Sequence, residues 1–148
     1  MDEITIVNQT NNQAHFDYDN SKVFICDNRY DTATFRNLTA GALDFKVGTV
    51  LGRISSTGKV TEMKSGGTDG SQFPVGILAT DIVQLAATSD IEVSMCISGD
   101  VAEEKVLLND TDTLLTAVDD KIYRDRIGAD TVGIILKAGT ELTNFDNQ

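Results

Sequence analysis

Four short segments that combine glycine with apolar or turn-forming residues constrain the fold of this chain more than any other feature. They are Gly48-Thr49-Val50-Leu51-Gly52, Asp69-Gly70-Ser71, Gly76-Ile77-Leu78 and Gly133-Ile134-Ile135. Glycine inside a β-strand usually marks a bulge, a sharp bend or the close approach of another backbone. The spacing therefore predicts a β-structure that bends at these glycines.

The clearest period-two pattern lies between Ile91 and Ser98. Apolar Ile91, Val93, Met95 and Ile97 alternate with Glu92, Ser94, Cys96 and Ser98. Such alternation is typical of a half-buried strand in an antiparallel sheet. Further strands are predicted at Val23–Cys26, Val47–Ile54, Lys59–Met63, Val75–Ala79 and Val132–Leu136.

One helix is predicted to begin near Thr116, with Asp119 in a capping-box-like position and Gly128 ending it. Its apolar face would comprise Val118, Ile122, Tyr123 and Ile127. A weaker helical turn is predicted within Ala102–Leu107. The fold class is therefore mainly β, an α+β domain with a compact irregular sheet or barrel and one or two short helices.

The composition limits the classes of function and partner that this protein can have. The 148 residues and an apolar content of 41% are typical of one globular domain. The chain has 12 basic and 23 acidic residues, a net charge of −11 that would repel nucleic acid. This charge serves solubility, or else repulsion from nucleic acid or attraction to a basic surface. Since no signal peptide and no membrane-spanning run are recognisable, we expect synthesis in the cytoplasm and no membrane partner.

The first 21 residues differ from the rest. A β-prone run, Ile4-Thr5-Ile6-Val7, precedes an Asn/Gln-rich tract, and Phe16 and Tyr18 follow among acidic residues. Such a segment buries too little apolar surface to order alone, so residues 1–21 are predicted to form a flexible arm. The run is suited to adding a strand to the sheet edge of a partner, or else the arm is a frayed terminus. Residues 22–137 form the predicted body and 138–148 a polar tail.

The sequence argues against catalysis and against a cofactor or metal. The single histidine, His15, lies in the predicted arm, a poor position for a general base. Asp110, Asp112, Asp119 and Asp120 lack the glycine and terminal glutamate of an EF-hand loop and are better interpreted as a solvated face or helix start. Cys26 and Cys96 are predicted to be buried reduced thiols.

The ordered set of segments resembles the lambda-type head decoration proteins of tailed bacteriophages from about Lys22 to Lys137. The residues that carry the resemblance as structural positions are Gly48, Leu51, Gly52, Asp69, Gly70, Gly76, Ile77, Leu78, Gly133 and Ile134. The alternating strand followed by an acidic turn, at Ile91 to Glu104, is similar to a further segment of that family. The resemblance implies a β-tulip-type fold and a structural protein of the virion.

The resemblance also implies a homotrimer on the outer surface of an expanded capsid, where it reinforces the shell against internal DNA pressure. The major capsid protein would be the partner, and the capsid-contact residues would be Ile4, Thr5, Ile6, Val7, Phe16 and Tyr18. Two alternatives remain open: a trimeric fibre or baseplate module, and a small ligand-binding β-barrel. The first would be favoured by fibrous repeats and the second by a polar pocket with an aromatic platform.

Overall fold

The structure is a computed structural model that describes residues 23–138. The strands are β1 Phe24–Arg36, β2 Leu43–Phe45, β3 Val50–Arg53, β4 Val60–Glu62, β5 Pro74–Leu78, β6 Ile82–Leu85, β7 Asp90–Ala102, β8 Ala117–Val118, β9 Lys121–Ile122 and β10 Ile134–Lys137. A 3-10 helix spans Glu103–Lys105, and one α-helix, α1, spans Tyr123–Asp130. The mainly β fold class is confirmed.

Five strands close into a barrel-like sheet in the order β7, β1, β4, β3, β5 and back to β7. Closure depends on the antiparallel pairing of Ile77 and Leu78 in β5 with Cys96 and Met95 in β7. All neighbours in the barrel are antiparallel except β1 and β4, which pair in parallel through Phe35 and Val60. Strand β10 lies outside the barrel, parallel to the last residues of β7. Among the strands of residues 23–138, β10 is the edge strand of this sheet.

Apolar side chains fill the barrel. The inner cluster comprises Phe35, Phe45, Leu51, Val60, Leu78, Ile82, Val93 and Met95. Val93 and Met95 belong to the predicted alternating strand, so its inward face is as expected. Ile91 lies near the start of β7 and is exposed. Because side chains occupy the interior, this barrel is a packed core and not a ligand cavity.

A second apolar layer covers the outside of β7 and β5. The outer cluster comprises Val50, Met63, Ile77, Cys96, Val101, Tyr123, Ile127 and Ile134. Helix α1 and strand β10 supply Tyr123, Ile127 and Ile134 to this cluster. Cys96, predicted on the polar face of β7, is therefore buried, because the helix covers that face of the strand.

The helix begins later than predicted. Val118 and Ile122 belong to a short hairpin, β8–β9, whose turn residues Asp119 and Asp120 have φ values of 51° and 65°. A left-handed conformation at both central residues is the requirement of a type I′ two-residue hairpin turn, and Asp adopts it more readily than most residues. Helix α1 therefore begins at Tyr123 and continues through Gly128, which was predicted to end it.

Strand β1 is longer than predicted. Beyond Cys26, where the predicted strand ends, the chain continues as one strand to Arg36, with register shifts between Phe24 and Tyr30. Asp27 has a φ of 54°, which is consistent with a bulge at this point of the strand. The bulged half of β1 pairs with the last residues of β7, which also pair with β10.

Candidate functional site

The predicted contact residues Ile4, Thr5, Ile6, Val7, Phe16 and Tyr18 lie outside the described residues, and their role stays a prediction. The structure does show where the chain joins the body. The Ala102 N–H donates a hydrogen bond of 2.8 Å to the Val23 carbonyl. Lys137, the last residue of β10, pairs with Ala102 in register. Val23, Ala102 and Lys137 therefore mark one end of the body, which we call the arm end.

Three of the predicted structural residues, Gly52, Asp69 and Gly70, meet at a junction between β3 and the loop before β5. A Cβ atom on Gly52 would lie 2.1 Å from the Ser71 carbonyl oxygen, so only glycine permits this approach. Gly70 has a φ of +102°, and a Cβ there would lie 2.7 Å from the Arg53 carbonyl oxygen. The junction therefore needs glycine at both positions.

Asp69 fixes the shape of the same loop. Its carboxylate accepts hydrogen bonds from the Ser71 hydroxyl at 2.6 Å and the Ser71 N–H at 3.1 Å. These bonds to Ser71 hold the pKa of Asp69 below its ordinary value. The Asp69 carbonyl accepts a further hydrogen bond from the Ser55 N–H at 2.8 Å. Asp69 thus connects the loop to the hairpin after β3.

The other predicted structural residues of β3 and β5 lie side by side. Leu51 pairs with Gly76 across the two strands, and both Leu51 and Leu78 enter the inner cluster. Gly76 lies against the side chain of Met95. Ile77 points outward into the outer cluster.

The remaining predicted structural residues, Gly48, Gly133 and Ile134, lie in other parts of the body. The Gly48 N–H donates to the Leu78 carbonyl at 2.9 Å, and the Gly48 carbonyl accepts from the Leu107 N–H at 2.8 Å. Ile134 is buried in the outer cluster. The Gly133 carbonyl accepts a hydrogen bond of 3.1 Å from the Gly99 N–H, which joins β10 to β7.

Sequence reasoning missed a buried carboxylate that joins two loops. Asp112 was interpreted as part of a solvated acidic face or helix start, but only 8% of it is exposed. It accepts hydrogen bonds from the Ser65 N–H at 2.8 Å, the Ser65 hydroxyl at 2.6 Å and the Asn109 side-chain amide at 2.6 Å. Burial alone would raise the pKa of Asp112, but the bonds from Ser65 and Asn109 outweigh it and hold the pKa below its ordinary value.

Sequence reasoning also missed Asn37, which is fully buried at the end of β1. Its amide nitrogen donates to the carbonyls of Gly41 at 3.0 Å and Leu85 at 2.9 Å, and its amide oxygen accepts from the Thr39 N–H at 2.9 Å. The preference of Asn for turns could have indicated a turn at this position. The hydrogen bond to the Leu85 carbonyl could not be predicted, because Leu85 is distant in the sequence.

A cavity of about 480 Å³ lies beside strand β2 and the end of strand β4. Its lining residues are Thr39, Leu43, Asp44, Phe45, Glu62, Lys64, Asn109, Asp110 and Thr111. Burial raises the pKa of Glu62, an effect that the nearby Lys64 opposes and Asp110 reinforces. Seven of the nine lining residues are polar or charged, with both signs of charge present, and none is histidine or cysteine.

The two thiols differ. Cys96 is buried as predicted, and burial raises its pKa. Cys26, also predicted to be buried, is instead exposed, because β1 bulges where it passes β7. Its thiol donates to the Asp100 carboxylate at 3.3 Å, and this bond raises its pKa. Both thiols therefore stay protonated near neutral pH, which makes them poor nucleophiles.

Within residues 23–138, His, Cys, Asp and Glu side chains form no group of three that could hold a metal ion. The same part of the chain contains no helix that is long and apolar enough to cross a membrane.

One comparison with known proteins, a match to a family model, supports the resemblance. The sequence model of the family described as Bacteriophage lambda head decoration protein D matches residues 27–122, from the first residues of β1 to the end of β9. The matched range contains all five barrel strands in nearly their full length. No match was found among the curated proteins.

Proposed function

Because the chain belongs to the family of the bacteriophage lambda head decoration protein D, and is thus a structural protein of the phage head, we propose that it cements the capsid from outside. In this proposal a homotrimer binds the outer surface of an expanded capsid and holds neighbouring capsomers together against the pressure of packaged DNA. The partner is the major capsid protein. The protein is made in the host bacterial cytoplasm and acts on the virion exterior. The single observation that carries the proposal is the family match over the barrel.

We propose that residues 1–21 act as the arm that contacts the capsid. Ile4, Thr5, Ile6 and Val7 add a strand to a sheet edge of the capsid protein, since backbone pairing supplies affinity without requiring a deep pocket. Phe16 and Tyr18 anchor in pockets beside that strand, because buried aromatic side chains are frequent hot spots. The body of residues 22–137 stays folded, and the tail of residues 138–148 follows it.

The body supports this proposal through its packing at the arm end. Val23 is bonded to Ala102, and the outer cluster packs Val101, Ile134 and the partly buried Val23 together. An arm that leaves from a packed position transmits force to the barrel instead of unravelling the strand that follows it.

Trimer formation would multiply a modest affinity per arm. Once one arm of a trimer is bound, the other two search for their sites at a high effective concentration. Binding to the expanded state alone would stabilise that state by mass action. The cementing effect therefore needs stronger binding to the expanded capsid than to the unexpanded capsid, and it needs no chemical step.

Co-sedimentation with expanded, undecorated heads tests this function. We expect the full chain to bind saturably and the double variant Ile4→Asp/Ile6→Asp to lose most of that binding, because charged side chains disfavour entry of the strand into an apolar sheet edge. The matched control is Asn11→Asp/Asn12→Asp, which adds the same charge to the polar tract of the arm. The control should bind as the full chain does.

Each outcome has a clear meaning. Equal binding by both double variants would move the contact away from Ile4–Val7 while keeping the decoration function. Failure of the full chain to bind cognate expanded heads would refute the cementing function. Sedimentation equilibrium of the full chain, alone and at several concentrations, would test the homotrimer separately.

A further inference from the structure

The only Asp-Gly sequence of the chain lies in the loop before β5, where Asp69 is exposed to water. Aspartate followed by glycine is prone to rearrange spontaneously to isoaspartate, because glycine has no side chain to keep its backbone nitrogen away from the aspartate carboxyl group. The fold requires this glycine, since Gly70 has a φ of +102° and a Cβ there would lie 2.7 Å from the Arg53 carbonyl oxygen. The loop therefore contains a chemically labile peptide bond that no substitution of Gly70 can remove.

The rearrangement passes through a cyclic succinimide and needs no reactant other than water. The Gly70 nitrogen bonds to Cγ of Asp69, and one carboxyl oxygen leaves as water, taking its bonding electrons, the carboxyl proton and the amide proton. Water then adds to the ring and breaks one of its two C–N bonds. Breaking the bond to Cγ restores aspartate. Breaking the bond to the backbone carbonyl carbon leaves isoaspartate, in which the main chain runs through the side chain.

The structure holds the reacting peptide group at both of its ends. Ring closure requires this group, between Asp69 and Gly70, to rotate so that its nitrogen meets the Asp69 side chain. Its carbonyl oxygen accepts a hydrogen bond of 2.8 Å from the Ser55 N–H, and its N–H donates a hydrogen bond of 3.0 Å to Oε1 of Gln72. Rotation would break both hydrogen bonds.

The carboxylate of Asp69 is also held away from this reaction. Its Oδ1 accepts hydrogen bonds from the hydroxyl and the N–H of Ser71. These bonds lower the pKa of Asp69, so the group is ionised near neutral pH. An ionised carboxylate loses an oxygen as water less readily than a carboxylic acid does.

Gln72 is the partner of the peptide group whose side chain can be varied. Ser55 bonds through its backbone N–H, whereas Gln72 bonds through its side-chain amide oxygen. The backbone of Gln72 is fixed in turn, because its carbonyl accepts a hydrogen bond of 3.0 Å from the hydroxyl of Tyr123, which is fully buried in the outer cluster. Helix α1 thus fixes the position from which the Gln72 side chain reaches Gly70.

We propose that the Gln72 side chain protects the Asp69-Gly70 peptide bond from rearrangement to isoaspartate. Isoaspartate inserts one more carbon into the main chain. The junction of this loop with β3 has no room for it, because Gly52 and Gly70 already lie against the carbonyl oxygens of Ser71 and Arg53. The hydrogen bond from Gly70 to Gln72 would therefore preserve the junction in a protein that must stay folded for a long time.

Ageing of the folded full-length protein at neutral pH tests the proposal. Isoaspartate is measured as methyl groups that protein isoaspartyl methyltransferase transfers to the proteolytic peptide containing residues 69 and 70. The folded wild-type chain should form isoaspartate about tenfold or more slowly than the same chain unfolded in guanidinium chloride. Folded Gln72→Ala should react roughly two- to tenfold faster than folded wild type, the factor that corresponds to one ordinary hydrogen bond.

Two control variants accompany this measurement. Gln72→Glu keeps an acceptor oxygen at the same place and should react as slowly as wild type. Asp69→Glu cannot form the succinimide and should give no signal, which assigns the signal to Asp69. Near-UV circular dichroism reports whether each variant is folded, and Gln72→Met, which keeps the length of the side chain without its amide, replaces the alanine variant if that variant is unfolded.

Two results would overturn the proposal. One is formation of isoaspartate in the folded wild-type protein at the rate of the unfolded chain. The other is a folded Gln72→Ala or Gln72→Met variant that reacts no faster than wild type, which would mean that the bonds to Ser55 and Ser71 suffice. The experiment contains no capsid, so its failure would leave the proposed decoration function untouched.

Discussion

A Cβ atom placed on Gly52 would lie 2.1 Å from the carbonyl oxygen of Ser71. Gly52→Ala should therefore force β3 away from the 69–71 loop and lower the free energy of unfolding by about 1–3 kcal/mol. Gly41→Ala is the control, because no atom lies within 4 Å of a Cβ at that position. Urea unfolding of both variants checks the prediction. Equal stability of Gly52→Ala and wild type would contradict the close contact.

Asp112 holds the loop at Ser65 to the loop at Asn109. Asp112→Ala should cost about 1–3 kcal/mol of unfolding free energy, because the partly buried Ser65 N–H loses its acceptor. Asp125→Ala, at an exposed position on α1, should change stability much less. Both are measured by urea unfolding at pH 7.

The effect of Asp112→Ala on stability should depend on pH. Because the pKa of Asp112 is lowered in the folded state, its stabilising effect is fully present above the ordinary aspartate value of 3.8 and is lost as pH falls through its folded pKa. The stability difference between wild type and Asp112→Ala should therefore shrink below about pH 3.8. A difference that stays constant down to pH 2, if the protein remains folded, would contradict the lowered pKa.

The pKa shift of Glu62 has the opposite direction to that of Asp112. Burial raises its pKa, so the folded state disfavours the charged carboxylate at neutral pH. Glu62→Gln should thus be more stable than wild type at pH 7. The advantage should disappear as pH falls through the raised pKa toward the ordinary glutamate value of 4.5. Thermal unfolding of the two proteins between pH 7 and pH 4 measures it, and a pH-independent advantage would argue for a packing effect.

The two cysteines should react at different rates with a thiol reagent in the native protein. Exposed Cys26 should be modified and buried Cys96 spared, with Cys26→Ser identifying the reactive thiol. Asp100→Asn should accelerate the reaction of Cys26 at pH 8, because the carboxylate that raises the thiol pKa is removed. An unchanged rate in Asp100→Asn would contradict the role of that hydrogen bond.

Local sequence patterns predicted those strands that place one face in the apolar core of the barrel. Val93 and Met95 could be assigned to a core because both point into the barrel. Gly52 and Gly70 could be recognised as sites of unusual backbone, although their partners Ser71 and Arg53 could not. A single sequence shows where a glycine is needed, but the approaching backbone comes from elsewhere in the chain.

The parts that sequence reasoning got wrong depend on long-range contacts or on backbone angles. Cys26 was predicted to be buried, yet the bulge where β1 passes β7 leaves it exposed. Val118 and Ile122 have helical spacing, but the left-handed conformation of Asp119 and Asp120 makes a hairpin there. In the sequence, Asp112 cannot be distinguished from an exposed acidic residue, because its partner Ser65 is 47 residues away. Barrel closure between β5 and β7 has no local signal at all.

The long pairing of β1 with β7 has a mechanical consequence. The pairing extends from Phe24 opposite Val101 to Arg36 opposite Asp90, and the chain enters β1 at Val23. A pull on Val23 away from the body and along the strand axis would load these hydrogen bonds in shear, so that many of them share the tension at once. A pull perpendicular to the strand would instead peel the bonds apart one at a time, beginning with the bond between Ala102 and Val23. The direction of pull would thus decide how much force this body withstands.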